Sequence, residues 1–330
     1  MKIGITGASG HLGTSIAPLL EAKQFNIRAL IHTHKLSISH GNTESVHGNL
    51  LNSDSLLNFV SGCDVVIHCA AKISINSNND PSVYATNFDG TVNLFNAAKQ
   101  TGVKRFVHVS SIHAYNQFPQ NELLTEARGY CMDKAPRYDN SKRDAQKYVL
   151  QHATEQTQVV VLNPTSVAGP PDYQPSLFGK AIMDLYNHKV PSLIDGGFDF
   201  CDVRDVAEGI VNAIDNGRNG NAYLLSGKWH HLSDVIKILN HVKIEKHSLP
   251  VLPGWAGFAG LPFMKLIAKL TNEEPLYTRE SLEALLYGNK NISQAKANTE
   301  LNYHCRPFEE TLTDLIKWFE SNNYLKPIQT

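Results

Sequence analysis

Short apolar runs alternate with helix-period segments through the first half of the chain. "KIGIT" (2–6), "NIRALI" (26–31), "DVVIHCA" (64–70), "RFVHVS" (105–110) and "QVVVLNP" (158–164) are apolar in near-continuous stretches. That pattern marks parallel strands buried on both faces. Helices are predicted between them at 11–23, 54–61, 86–101 and 140–153. Such strand–helix repetition predicts an α/β fold built on a doubly wound parallel sheet with right-handed crossovers. Beyond about 166 the rhythm loosens into Pro- and Gly-rich connections, with helices predicted at 176–187, 205–215, 232–241 and 308–321. "AYLLS" (222–226) reads as one more strand returning to the sheet. The expected organisation is a first domain over 1–165, rejoined by 202–228, and a smaller, discontinuous substrate-covering part over 166–201 and 229–330.

The first turn narrows this picture. "ITGASGHLG" sets Gly7, Gly10 and Gly13 directly after the first strand and at the start of a helix. Gly7 permits the tight turn, Gly10 lets backbone approach a pyrophosphate at the helix N-terminus, and Gly13 lets helix and strand pack closely. Ser9, His11 and Leu12 share that loop and first helical turn. The spacing is G-x-x-G-x-x-G and not the commoner G-x-G-x-x-G. Placed on a strand–turn–helix with a β-α array following, it predicts a dinucleotide-binding Rossmann domain. The alternative is a glycine-rich helix start without a ligand.

Two Tyr-x-x-x-Lys pairs follow, Tyr130/Lys134 and Tyr138/Lys142. An ammonium one helical turn from a phenol lowers the phenol's pKa and makes a proton-transfer device. Lys134 precedes Ala135-Pro136, and a residue before proline is pushed out of helical geometry, so the first pair is assigned to a loop. Tyr138 leads directly into a helix-forming segment and shares a face with Lys142. Ser111, at the carboxyl end of the strand "RFVHVS", offers the hydroxyl such a pair needs. Tyr138 and Lys142 are therefore the expected working pair.

The bulk properties change little. The chain has 330 residues, 18% charged and 42% hydrophobic, with net charge -1. That balance gives no electrostatic reason to expect nucleic acid as a partner. Five cysteines without metal-type pairing suggest reduced thiols and a cytoplasmic setting. "MKIGIT" passes straight into a strand, so no signal peptide is expected. The apolar stretch 249–270 is interrupted by Pro250, Pro253, Gly254, Gly257, Gly260 and Pro262. It is not expected to span a membrane; contact with a membrane surface stays open. Among 15 histidines, His32/His34 and His230/His231 lack a third ligand, so no metal site is expected.

With these motifs in hand the chain resembles the extended short-chain dehydrogenase/reductases, the NAD(P)-dependent epimerase/dehydratase superfamily. The likeness rests on TGxxGxxG, the serine ending the fourth helix-flanked strand, YxxxK, "GCDVVIHCAA" (62–71), "NFDGTVNLFNAA" (87–98), "NPTSVAGP" (163–170) and "DVRDVAEGI" (202–210). The tail "KANTELNYHCRPFEETLTDLIKWF" (296–319) is similar to the dihydroflavonol-reductase-like and 3β-hydroxysteroid-dehydrogenase-like branch. The resemblance implies Tyr138 as acid/base, Ser111 as the holder of the substrate oxygen, and Lys142 as a ribose contact that keeps Tyr138 acidic. It implies Asn87 as a support of the proton relay, with helix capping or kinking as the alternative. Ala70, Ala71, Asn163, Pro164 and Val167 match cofactor-facing positions. Asp202, Arg204 and Asp205 are expected to fix the substrate part to the sheet, with a chemical role as the alternative.

Two departures bear on the cofactor. The second strand is followed by His32, Thr33, His34 and Lys35, without the acid that binds a ribose 2′-hydroxyl. His32 and Lys35 suit a 2′-phosphate, so NADP(H) is favoured over NAD(H). The adenine-binding acid after strand three is replaced by Asn49, followed by Leu50; an amide oxygen can still accept from an adenine amino group. Sugar dehydratases carry an acidic pair after the catalytic serine or threonine, where this chain has Ile112 and His113. The expectation is a ketone or aldehyde reductase acting on a small, lipophilic carbonyl or alcohol. A sugar epimerase is the second reading and a non-catalytic dinucleotide sensor the third. The substrate expectation draws on Tyr173, Leu177, Phe178, Trp255, Phe258 and Phe263, with core packing as their alternative. The helices at 86–101 and 140–153, with Val92, Phe95, Tyr148 and Val149, offer either a homodimer face or intrachain core.

Overall fold

A computed structural model describes residues 1–33, 43–74, 76–243, 247–271 and 277–326. The larger sheet contains strands β1 (Lys2–Thr6), β2 (Asn26–Ile31), β3 (Thr43–His47), β4 (Val65–His68), β5 (Arg105–Val109), β6 (Gln158–Pro164) and β10 (Asn221–Leu225). All are parallel, in the order β10-β6-β5-β4-β1-β2-β3. Order reverses between β1 and β4, and a crevice opens beyond the carboxyl ends of strands at such a switch point.

Period-two alternation explains the layering. Ile3, Ile5, Val65, Ile67, Val107, Val109, Val160 and Leu162 point to one face. There they meet α1 (His11–Ala22) and α7 (Val203–Asn216). Val66, Phe106, Val159 and Val161 point to the other. That face is covered by α2 (Ser53–Val60), α4 (Gly90–Gln100) and α5 (Arg137–Gln151). Each fully buried aliphatic contributes about 1.5–3 kcal/mol over exposure. Ahead of α4, α3 (Pro81–Tyr84) runs into a π-helical turn at Ala85–Asp89, so the predicted helix over 86–101 begins earlier and contains a π turn. Phe95 and Val149 are fully buried in this second layer. They are intrachain core, which withdraws two of the four positions considered for a dimer face.

The later segments build two small sheets. One joins β7 (Ser166–Ala168), β9 (Gly197–Asp202) and β11 (Lys228–His231); the other joins β8 (Leu193–Ile194) and β12 (Val251–Leu252). Around them lie α6 (Leu177–Tyr186), α8 (Leu232–Lys243), α9 (Gly254–Thr271), α10 (Arg279–Tyr287), α11 (Ala295–Leu301) and α12 (Phe308–Ser321). α9 is one helix despite Pro262, where the sequence pattern gave only broken apolar stretches. No described helix is long and apolar enough to cross a membrane.

Charge ties the later segments together. Asp202, with no exposed surface, caps α7 through the Arg204 N–H and accepts from the Arg204 guanidinium and the Thr311 hydroxyl. Arg204 also reaches Asp314 of α12 at 2.7 Å, and Arg306 forms a forked pair with Asp205. Asp202→Ala leaves Arg204 and Thr311 without this acceptor. A loss of about 3–5 kcal/mol is expected, to be read by urea denaturation; a change below about 1 kcal/mol would remove the network from the account.

Candidate active site

The carboxyl ends of all seven parallel strands share one edge of the sheet. Gly7 follows β1 with φ of 72°, and a Cβ there would lie 2.7 Å from the Ala70 nitrogen, beyond the end of β4. At Gly13 a Cβ would fall 2.2 Å from the Gly7 carbonyl oxygen. Only glycine fits either place. Gly10 differs: an added Cβ would meet nothing nearer than the Gly7 oxygen at 3.3 Å. Gly10 also N-caps α1 without a side-chain cap, and no acid occupies the first turn. A bare, positively polarised helix end beside the switch point fits a dinucleotide's pyrophosphate.

The remaining loop residues divide between this cradle and the scaffold. Ser9 is half-buried in the turn, and Leu12 packs partly against the core. The His11 ring pairs with the Gly169 carbonyl at 2.7 Å, tying the loop to the residues after β7. Ala70 donates its N–H to Thr6 Oγ1, and Ala71 follows on the same edge. His32 is exposed just past β2. Lys35 and His34 lie outside the described residues. Asn49 is exposed and its Oδ1 accepts the Leu51 N–H at 2.9 Å, while Leu50 is buried against Gly90.

Ser111, Tyr138 and Lys142 converge beyond β5. Ser111 lies two residues past the strand, and its hydroxyl accepts the His113 N–H at 3.2 Å and hydrogen-bonds Tyr138. Tyr138 and Lys142 occupy the first turns of α5. Lys142 is buried, and its Nζ donates to the Val109 carbonyl at 3.0 Å. Burial lowers its pKa to about 8. Burial also pushes the Tyr138 phenol up to about 12; the Ser111 hydrogen bond pulls it down and the Asp139 charge raises it further. The phenol is thus weaker as an acid than the Tyr-x-x-x-Lys spacing predicts. The physical reason is that desolvation dominates, while the Lys142 ammonium is directed at Val109.

Asn87 lies in the π turn, fully enclosed. Its Oδ1 accepts the Lys72 N–H at 2.8 Å, and its Nδ2 reaches the Lys72 carbonyl and Ser141 Oγ, both at 3.1 Å. Ser141 in turn donates to the Tyr138 carbonyl. Asn87 therefore fastens the end of β4 to the turn that presents Tyr138. Asn163 serves Ser111 in the same way, donating to its carbonyl at 2.9 Å and to Gln146 Oε1 at 2.6 Å. Pro164 is buried at the end of β6, and Val167 is half-buried in β7.

Tyr130 lies in a loop and pairs with residues other than Lys134. It stacks on Tyr115 at 5.6 Å, hydrogen-bonds Gln146, and lies under the Lys147 ammonium. Two buried histidines escaped the sequence reading. His68 pairs with Thr6 and Thr91, and burial drops its pKa to about 3. His108, its register partner on β5, makes no hydrogen bond, and burial holds it neutral. Their shared offset in "VVIH" and "RFVH" was the available signal. Tyr173 packs edge-on against Trp318, Phe178 against Phe200, and Phe258 beside Leu282, so these three are packing residues. Trp255 and Phe263 are exposed. His231 pairs with Asp195 and Ser233, and His230 stacks on Phe308.

Comparison with known proteins places the chain in a family and a fold. The model of the NAD dependent epimerase/dehydratase family matches residues 3–226. Sterol demethylase protein B of Methylococcus capsulatus is 25% identical over 97% of this chain and 99% of its own. A putative dihydroflavonol 4-reductase of Synechocystis is also 25% identical, over 98% and 95%. The crystal structure of gox2253 superposes with a TM-score of 0.81 at 26% identity, covering 98% of this chain and 99% of that one.

Proposed function

The chain belongs to the NAD dependent epimerase/dehydratase family, the extended short-chain dehydrogenase/reductases, and we propose that within it the protein is an NADP(H)-dependent reductase of a ketone or aldehyde on a small, lipophilic substrate. The observation that carries this reading is the Ser111 hydroxyl bonded to Tyr138 at the carboxyl edge of β5, one helical turn from buried Lys142. The nicotinamide cofactor, when bound, would supply the hydride. Ser111 holds the substrate oxygen and stabilises its developing charge. Tyr138 then gives that oxygen its phenolic proton. With a pKa of about 12 the phenol stays protonated at neutral pH, and a developing alkoxide is the stronger base, so transfer runs downhill in the direction of reduction. Lys142 would turn from the Val109 carbonyl to bind the nicotinamide ribose. The names of the two relatives, a sterol-processing protein and a dihydroflavonol reductase, support a lipophilic ring substrate.

The test is a panel of carbonyl compounds followed at the NADPH absorbance band and repeated with NADH. Turnover of lipophilic ketones or aldehydes with NADPH is the expected result. Purified protein holding NAD⁺ tightly, with no NADPH turnover on any carbonyl, would instead favour an NAD-dependent sugar epimerase. His32→Asp should shift preference towards NADH by about 10- to 100-fold, the worth of one charge-assisted contact. Wild-type preference for NADH would overturn the 2′-phosphate assignment and leave Ser111, Tyr138 and Lys142 in place.

A further inference from the structure

His113 follows Ser111 by two residues, and in the linear chain it has no partner in view. The fold supplies one. His113 Nδ1 lies 3.4 Å from Asp139 Oδ1 on α5, and the imidazole meets the Tyr138 ring edge-on, with centroids 6.1 Å apart. Its backbone N–H holds Ser111 Oγ. About a third of the His113 side chain is exposed, so the ring links the half-buried phenol to solvent. Resting on the reductase reading above, we propose that His113 and Asp139 form a proton-supply pair that recharges Tyr138 after each turnover.

The balance is simple. Reduction takes one hydride onto carbon and one proton from Tyr138 onto oxygen, leaving a phenolate. The His113 imidazolium returns a proton to that phenolate, and the neutral imidazole takes one from water. Asp139 stabilises the imidazolium in between. Burial alone would depress His113, but the charge and hydrogen bond of Asp139 outweigh it and raise the pKa above the ordinary histidine value. The other groups around the pair do not compete. Tyr138 faces it from α5 as a protonated phenol, and Ser111 contributes a neutral hydroxyl. Asn163 of β6 reaches this loop only as an amide. Cys131, beyond Asp139, stays a thiol because burial pushes it up to about 11. Lys142, which lowers His68 and His108, is turned to Val109. His113 thus acts through Tyr138 as a positioning and proton-relay residue.

The experiment pairs ¹³C-histidine NMR titration of the cofactor-free chain, using His113→Gln to assign the signal, with pH profiles of turnover. Wild-type His113 should titrate above free histidine, and Asp139→Asn should move it down. The fall in reduction rate at rising pH should move down with it. His113→Gln should lose about 10- to 100-fold in kcat and regain part of it with added imidazole, while cofactor binding, read by tryptophan quenching, holds. A pH profile that ignores Asp139→Asn in an active enzyme overturns the proposal, as does a His113 titration that Asp139→Asn leaves unmoved. Absence of turnover on every carbonyl would instead strike the reductase reading, so the two failures are distinguishable.

Discussion

Tyr138→Phe is expected to lower turnover by about 10²- to 10⁴-fold, the usual range for loss of a general acid, while cofactor affinity stays nearly intact. Only the hydroxyl is removed. The ring keeps its edge contact with His113, and Lys142 keeps its bond to Val109. Ser111 loses its phenol partner but still accepts the His113 N–H. Tyr130→Phe is the internal control. It loses a hydrogen bond to Gln146 and keeps its stack on Tyr115, so a modest effect on rate is expected. Steady-state kinetics and a fluorescence titration of cofactor decide between the pairs. An inactive Tyr130→Phe beside an active Tyr138→Phe would reverse the assignment.

The second large effect runs in opposite directions for stability and function. Lys142→Met should stabilise the cofactor-free protein and abolish activity. Burial lowers the Lys142 pKa from 10.5 to about 8, so folding disfavours the ammonium relative to the unfolded chain although it stays protonated at neutral pH. That penalty is fully present below pH 8 and disappears as pH rises towards 10.5. At neutral pH it amounts to roughly 3 kcal/mol by linkage. Removing the donor to the Val109 carbonyl gives back about 1 kcal/mol, so a net gain of about 2 kcal/mol is expected. Urea denaturation at pH 6.5 and again near pH 10 reads it, and the advantage should shrink at the higher pH. Weakened cofactor binding in the same variant supports the ribose contact. A destabilised Lys142→Met at pH 6.5 would mean that the packing of the ammonium outweighs its desolvation.

Parts of this account lie in the linear sequence because they depend on local physics. Apolar runs of five to seven residues, rich in Val and Ile and bounded by turn residues, are too short for helices and mark strands covered on both faces, so β1, β2, β4, β5 and β6 lay close to their predicted bounds. Gly7 and Gly13 were legible because a turn with φ of 72° and a Cβ-free approach exclude other residues. Lys134 before Ala135-Pro136 placed Tyr130 in a loop by backbone sterics alone. Short, polar β3 was the exception, since "TESVH" has little apolar pattern to read.

Tertiary structure decided whatever depends on partners distant in sequence or on the exclusion of water. The spacing of Tyr138 and Lys142 predicts a lowered phenol pKa; the fold buries Lys142, half-buries Tyr138 and sends the ammonium to Val109, so desolvation wins. His113 had no visible role until α5 brought Asp139 beside it. Asn87 and Asn163 matched cofactor-site motifs, yet their amides hold Lys72, Ser141, Ser111 and Gln146, contacts spanning 15 to 54 positions along the chain. Phe95, Val149, Tyr173 and Phe178 could equally have met solvent, substrate or a second subunit. An apolar side chain records that it will be covered, and only the folded chain determines by what.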